Sequence, residues 1–477
     1  MAKRTANGFP AEYAALVADV LASPDDDTPR LVLADALMEK NDPRGELIAI
    51  QCARSEADDA VDRVEELLYE HADRWTDGLG PSSLRFVFHR GFVEEVRGPS
   101  DALVRNLRAL AQQVPLRKVV LTSFERKHAA ELVRLLVETS VRSLSLAGRA
   151  SSEFVAAFAD SSLPSTLEEL DLADASEAVV QRTMPRLRRL RLKTWDYSDR
   201  PSGLDELRAP LEELRVEGNP DGTLRGLRGI SIAEGLRRLS VSRCALGRLA
   251  SVQCPNLESV DVDELVQVDE NELAEFLSRP VPLRHLGARG ALRRTMIGPL
   301  LRVAASLERL DLSECDPRME GVRAMVETPL PKLRELTIRR ARFGNESSLS
   351  GPILEVLCTA PWLRSLRALQ LGLQQFGDDG ASVIASTELP EIRVLGLQET
   401  GLGARGAKAL ADTSTMPRLR ALDLSDNDLG EDGAMALANG SGLKAIAHLE
   451  LHNMRLGVAA GRALRARFGR ALEKSFD

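Results

Sequence analysis

Aromatic residues are scarce in this chain: 12 Phe, 3 Trp and 3 Tyr make up 4% of its 477 residues. A core with so few rings must be built from aliphatic side chains, which points to a stacked repeat and away from one large sandwich. Cysteine is equally sparse, with five residues (Cys52, Cys244, Cys254, Cys315, Cys358), odd in number and widely scattered. No pair has zinc-ligand spacing, so the expectation is free thiols in a reducing compartment. No apolar run reaches the roughly 18 residues of a membrane span. The opening "MAKRTANGFPAEYAAL" has no apolar core of signal-peptide length, so a cytoplasmic location is expected. A basic surplus is also missing, since 71 Asp and Glu outweigh 63 Lys and Arg for a net charge of −8. A nucleic-acid binder needs a basic stripe to release counterions, so that class is set aside. The acids are concentrated: between Asp19 and Asp73 they outnumber bases 16 to 5, a net of −11, and the remainder is near balance.

What the chain has in abundance is a six-residue unit, apolar-x-x-apolar-x-apolar. Its 14 copies run from "LRKVVL" at 116 through "LEELDL" at 167, "LRRLRL" at 187, "LESVDV" at 257 and "LRELTI" at 333 to "IAHLEL" at 446, spaced 20 to 33 residues apart. Alternation within the unit makes each a short strand with one buried face. Between units lie Ala- and Leu-rich amphipathic segments such as "ARGAKALADT" and "EDGAMALANG", which read as helices. One strand and one helix per turn resembles the leucine-rich-repeat family over about three-quarters of the chain, and the last three repeats resemble its ribonuclease-inhibitor type.

That resemblance implies an α/β fold: a right-handed leucine-rich-repeat solenoid, horseshoe-shaped, with parallel strands on the concave face; the helical pattern ahead of it adds a small all-α domain. It also implies a ladder position that bonds backbone groups between turns. Asn427, Cys244 and Cys315 fit that position, whereas Thr400, Gln374, Ala341 and Trp195 depart from it. The residue after each unit's first apolar position is Arg in 9 copies, Glu in 4 and Ala in 1, so stacked turns are expected to form Arg–Glu rungs. Arginines without an intervening Glu, at 334, 367, 393 and 420, would form a basic edge.

Ahead of the repeats, residues 11 to about 78 have helical periodicity, and 23–46 read "SPDDDTPRLVLADALMEKNDPRGE". Three successive aspartates suggest either a cation site or a capped helix start. Asp27 or Thr28 is placed to cap, with Pro29 just inside. The run is similar to the hallmark of the bacterial repeat-companion domain, although Leu33 and Ala36 stand where that family favours Tyr and Trp. The resemblance implies architecture and no established activity. "LRFVFHRGFVEEVRG" at 84–98 reads as a hairpin about an Arg–Gly turn, with Phe86, Phe88, Phe92 and Val96 as apolar cover. The expected division is therefore an acidic helical domain at 1–80, a hairpin cap at 81–115, about 14 repeats at 116–456 and a capping helix at 457–477.

Chemistry-bearing motifs are few. "GLGARG" at 401–406 fits a dinucleotide-binding fingerprint, but neighbouring repeats read "FGDDG" and "LGEDG" at the same turn, so the glycines belong to the repeat. His448, Glu450 and His452 alternate along the last strand as a weak candidate metal trio without a fourth ligand. No nucleophile elbow is present and the six histidines are spread thinly. Binding is expected at the outward strand positions: Arg189, Arg191, Lys193, Trp195, Tyr197, Arg215, Glu217, Asp261, Asp263, His285, Arg309 and Asp311. Arg beside Trp and Tyr has the composition of an interface hot spot. The reading is a non-enzymatic scaffold that binds a protein partner, with no cofactor, nucleic acid, membrane span or small-molecule substrate. A regulator of a small GTPase is the alternative, and a ligase or hydrolase built on the N-terminal domain comes third.

Overall fold

The structure, a computed structural model, describes residues 8–54, 58–139, 141–149, 151–173, 183–193, 207–218, 234–243, 254–263, 281–290, 305–315, 318–340, 349, 351–454 and 456–472. The chain divides into two compact units, Met1–Asp196 with Pro201–Leu214, and Tyr197–Arg200 with Arg215–Asp477.

The first unit begins with four helices, α1 (Ala14–Ala22), α2 (Thr28–Met38), α3 (Pro43–Ala53) and α4 (Asp58–Thr76). A hairpin follows, β1 (Arg85–His89) and β2 (Phe92–Pro99), paired antiparallel. Its two-residue loop, Arg90–Gly91, has positive φ at both positions (50° and 75°), the twist that closes a tight hairpin. Glycine is required there for a second reason: a Cβ on Gly91 would lie 2.0 Å from Ile48 Cγ1 of α3. Helices and hairpin share one apolar core, in which Phe9, Tyr13, Val17, Val20, Leu33, Leu37 and Ile48 close on Phe92. Phe88 and Val96 are buried as well, and Phe86 is half-buried. The strands then continue in parallel from β2 through β3 (Lys118–Ser123), β4 (Ser143–Arg149) and β5 (Glu169–Ala173) to β6 (Arg189–Lys193). Between them run α5 (Ser100–Gln113), α6 (Ala129–Glu138), α7 (Ser152–Asp160) and the short α8 (Leu163–Thr166).

β7 (Glu213–Glu217) lies at the division between the units. The second unit is a parallel ladder of β8 (Arg238–Ser242), β9 (Ser259–Asp263), β10 (His285–Gly287), β11 (Arg309–Asp311), β12 (Glu335–Thr337), β13 (Ala368–Gln370), β14 (Val394–Gly396), β15 (Ala421–Asp423) and β16 (His448–Glu450). Each turn buries its apolar positions, such as Leu333, Leu336 and Ile338, or Leu419, Leu422 and Leu424. Each such side chain contributes about 1.5–3 kcal/mol of apolar burial. The chain leaves the strand through one left-handed residue at the same place in eight described turns: Arg243, Gly290, Glu314, Arg340, Leu373, Glu399, Asp426 and Asn453. That residue's own N–H stays on the ladder, as when Glu399 N donates to Ser425 O (2.9 Å) and Asp426 N to His452 O (3.0 Å). Helices Arg318–Glu327, Gly351–Leu357, Gly377–Ser386, Ala404–Ala411 and Gly430–Asn439 return the chain and pack side by side.

The ladder position bonds backbone groups between turns as expected at Asn427 and Cys315, and it does so at two residues read as departures as well. Asn427 is buried and serves six backbone or hydroxyl groups: its Oδ1 accepts from Thr400 N, Leu402 N and Thr400 Oγ1, and its Nδ2 donates to Leu397 O, Leu424 O and Ser425 O. Thr400 and Gln374, read as departures, also bond across the turns. Gln374 Oε1 accepts from Leu349 N (2.8 Å) while its Nε2 donates to Ile338 O (3.3 Å), its extra methylene lengthening the reach of an Asn. Cys315 Sγ donates to Ala288 O (2.7 Å). Cys244, Ala341 and Trp195 lie outside the described residues. At the end of the second unit, helix Val458–Phe468 buries Ala460, Leu464 and Phe468, and Arg467 donates to Leu437 O and Gly442 O. Among the described residues no helix is long and apolar enough to cross a membrane.

Candidate functional site

Alternation along each strand decides which side chains are available. On β6, Leu190 and Leu192 are buried while Arg189 and Arg191 are exposed and Lys193 is half-buried. On β7, Leu214 and Val216 are buried, Arg215 is exposed and Glu217 is half-buried. Parallel in-register pairing then stacks equivalent positions into columns about 4.8 Å apart. In the first unit Ser143 Oγ donates to Glu169 (3.1 Å), Ser145 Oγ donates to Asp171 (3.1 Å), and Arg189 pairs with Glu169. Trp195 and Tyr197 lie outside the described residues.

The second unit brings together five of the expected residues on three adjacent strands. His285 Nε2 lies 2.8 Å from Asp261 Oδ1, leaving His285 Nδ1 buried without a partner. Arg289, just beyond β10, reaches Asp311 (3.2 Å) and Asp263 (3.9 Å), and Arg309 reaches Glu335 (3.5 Å). Burial works against the Arg289 charge, but the hydrogen bond to Asp311 and the nearby Asp263 and Glu314 outweigh it and raise its pKa. Ser313 fixes Asp311 from behind, with its N–H and Oγ both donating to Oδ1 (2.9 and 2.6 Å). Gly287 makes room for this cluster, since a Cβ there would lie 2.4 Å from Asp261 Oδ1. The sequence had no signal for that requirement. The result is a charged surface whose side chains are held by their neighbours before anything binds.

The rungs beside the strands form as expected: Arg142–Glu168 (3.2 Å), Arg188–Glu212 (3.2 Å), Arg237–Glu258 (2.7 Å) and Arg284–Glu308 (3.6 Å). His448 and Glu450 are half-buried on β16 and His452 is exposed beyond it. Among the described residues no three metal-ligating side chains cluster closely enough to hold an ion. At "GLGARG", the N–H groups of Gly403 and Gly406 donate to Asp378 Oδ1 (2.8 and 2.7 Å) from the preceding turn. A carboxylate of the protein thus already occupies the helix N-terminus where a phosphate would bind.

The aspartate run turns out to face arginines. Asp26 Oδ1 accepts from Thr28 N (2.8 Å), while Asp27 makes no cap and pairs with Arg90 of the hairpin loop (2.9 Å) and with Arg54 (3.6 Å). Asp25 pairs with Arg117 and Arg142 at the start of the first two repeats. Glu94 joins the buried Arg30 (2.9 Å) to Arg90 (2.8 Å), and both arginines also donate to Pro24 O. Arg44 sits fully buried against Phe9, Trp75, Phe88 and Phe92 and donates to Gly91 O (3.2 Å); burial pushes its pKa down to about 9 despite Asp42 nearby. A cavity of about 560 Å³ opens beside these groups, lined by Asp25, Gln51, Arg54, His89, Arg90, Glu94 and Arg117. The arginines lining it are all engaged by Asp25, Asp27 or Glu94, so the cavity offers no uncommitted guanidinium.

Residues 416–438 match the family model described as Leucine Rich repeat. No curated protein matches the sequence. Among solved structures, an internalin (inlF) from Listeria monocytogenes is 15% identical over 79% of this chain and 95% of its own, with a TM-score of 0.38. A chain of the Rad7 and Elc1 complex in yeast is 16% identical over 76% of this chain and 84% of its own, with a TM-score of 0.41. A chain of the TLR13–ssRNA13 complex is 15% identical over 75% of this chain and 52% of its own, with a TM-score of 0.38. The in-register strand ladder, the left-handed turn after eight of its strands and the matched repeat at 416–438 make the fold a leucine-rich-repeat solenoid.

Proposed function

We propose that the protein is a non-enzymatic cytoplasmic scaffold that binds a protein partner through the outward strand positions, the concave face of such a solenoid. The observation that carries this reading is a row of mutually held charges on adjacent strands: His285 with Asp261, Arg289 with Asp263 and Asp311, and Arg309 with Glu335. A surface held in place before contact loses little side-chain entropy on binding, which favours affinity and a defined charge pattern. Arg189, Arg191, Lys193, Trp195 and Tyr197, with Arg215 and Glu217, would extend the same kind of surface. The acidic helical segment, of the bacterial repeat-companion type, serves in this reading as a brace for the first repeats, because its aspartates are spent on Arg90, Arg117 and Arg142.

The test is recovery of a partner from native lysate by the wild-type chain and two variants, Arg189→Glu/Arg191→Glu and His285→Ala/Arg309→Glu. At least one variant is expected to lose about tenfold or more of the recovered partner while keeping its circular dichroism. Equal recovery by wild type and by both folded variants would sink the strand-face reading.

A further inference from the structure

The alternation of Arg and Glu beside the strands stops at Glu308. From there the equivalent positions are Arg334, Arg367, Arg393 and Arg420, and their backbones stack directly. Arg367 N donates to Arg334 O (2.6 Å), Arg393 N to Arg367 O (2.8 Å) and Arg420 N to Arg393 O (2.9 Å). Arg334 is half-buried and folds back onto the carbonyls of Pro331 and Leu333 (3.4 and 2.9 Å). Arg367, Arg393 and Arg420 are exposed, and no side chain of the described residues pairs with their guanidinium groups. The neighbouring acids are committed elsewhere, Glu335 to Arg309 and Glu391 to Arg418. Like charges stacked at the spacing of adjacent strands repel one another. In the preceding turns the same column is neutralised by Glu168, Glu212, Glu258 and Glu308.

We propose that Arg367, Arg393 and Arg420 form a second docking stripe, separate from the outward strand positions, for an acidic helix of a partner protein. The spacing favours a helix. Carboxylates at i, i+4 and i+7 recur every 5–6 Å along one helix face, close to the roughly 4.8 Å between strands. An extended segment would present same-side carboxylates about 6.6 Å apart. Single-stranded nucleic acid is disfavoured because its recognition leans on aromatic stacking. Among the described residues the one large aromatic standing fully in solvent is Tyr69 on α4, in the first unit.

The test is fluorescence anisotropy with the full chain and a labelled alanine-based peptide of about 15 residues carrying glutamates at i, i+4, i+7 and i+11. Two comparison probes are a peptide of the same composition with its glutamates spread round the helix, and a single-stranded RNA. The patterned peptide is expected to bind the wild-type chain at least about fivefold more tightly than the dispersed one. Arg393→Glu should weaken it about tenfold, and Arg367→Glu/Arg393→Glu/Arg420→Glu should abolish binding, with Lys408→Glu on the helix Ala404–Ala411 as a control that changes it less than about twofold. Circular dichroism confirms that each variant is folded. The proposal is overturned by equal binding of the two peptides, by unchanged binding to the folded triple variant, or by RNA that binds more tightly than the patterned peptide through the same arginines. None of these outcomes bears on the strand-face variants, so the two readings stand or fall separately.

Discussion

Replacing Glu94 with alanine removes the one carboxylate shared by two arginines that have little access to water. The Arg30 side chain is 0% exposed and that of Arg90 is 11%, with Glu94 Oε1 at 2.9 and 2.8 Å from them. After the replacement Arg90 keeps Asp27, but Arg30 keeps the carbonyls of Pro24 and Arg90 and the face of Phe92 with no counter-ion, and its Nε already lacks a partner. A buried charge left without its counter-ion costs about 3–5 kcal/mol. Asp25, by contrast, has a half-exposed side chain, so Asp25→Ala should cost only about 0–1 kcal/mol. The readout is hydrogen exchange of the slowest amides of α2, α3 and β2 in the full chain. Their protection is expected to fall about 10²–10⁴-fold in Glu94→Ala and less than about fivefold in Asp25→Ala. Removing both charges in Arg30→Met/Glu94→Leu should restore much of the loss, because an apolar pair of similar volume replaces a buried ion pair at little cost. Equal effects of Glu94→Ala and Asp25→Ala, or a double variant worse than Glu94→Ala, would refute the assignment of these residues as an ion-paired joint.

Asn427→Ala would strand the buried N–H groups of Thr400 and Leu402 together with two or three carbonyls, at about 2–4 kcal/mol, read as a lower urea midpoint by far-ultraviolet circular dichroism. Asp378→Ala would uncap the helix Ala404–Ala411 by freeing Gly403 N and Gly406 N, costing about 1–2 kcal/mol in the same assay. Glu95 should leave a signature in acid. Burial opposes its charge, yet bonds to His89 and Arg97 and the nearby Lys118 hold its pKa down at about 2, against an ordinary 4.5. Its contribution is therefore complete above pH 4.5 and is lost as pH falls toward 2, and Glu95→Gln should flatten the stability profile across that window.

The repeating part of the fold was legible because its physics is local. Alternating Leu positions set the strands, the Ala- and Leu-rich segments set the helices, and the Arg–Glu order predicted four rungs that the structure contains. "GLGARG" was settled by comparing three turns of the same sequence, and the structure adds that Asp378 supplies the anion. Long-range partners were not legible. Nothing near Asp27 announces Arg90, 63 residues away, so a helix cap was the natural local expectation. Gln374 and Thr400 were read as ladder departures because their side chains differ from Asn in length and shape, although both reach the neighbouring turn. Alternation alone placed Asp261, His285 and Asp311 on the strand face opposite the buried positions, but the role of Gly287 under Asp261 needed coordinates.

The most direct measurement is the affinity of a captured partner for two charge variants of the second unit. One, His285→Ala/Arg289→Glu/Arg309→Glu, alters the outward strand face; the other, Lys408→Glu on the helix Ala404–Ala411, alters the helical side. Binding through the strand face predicts a loss of about tenfold or more for the first and less than about twofold for the second. A partner that ignores the first variant and is released by the second would contradict it.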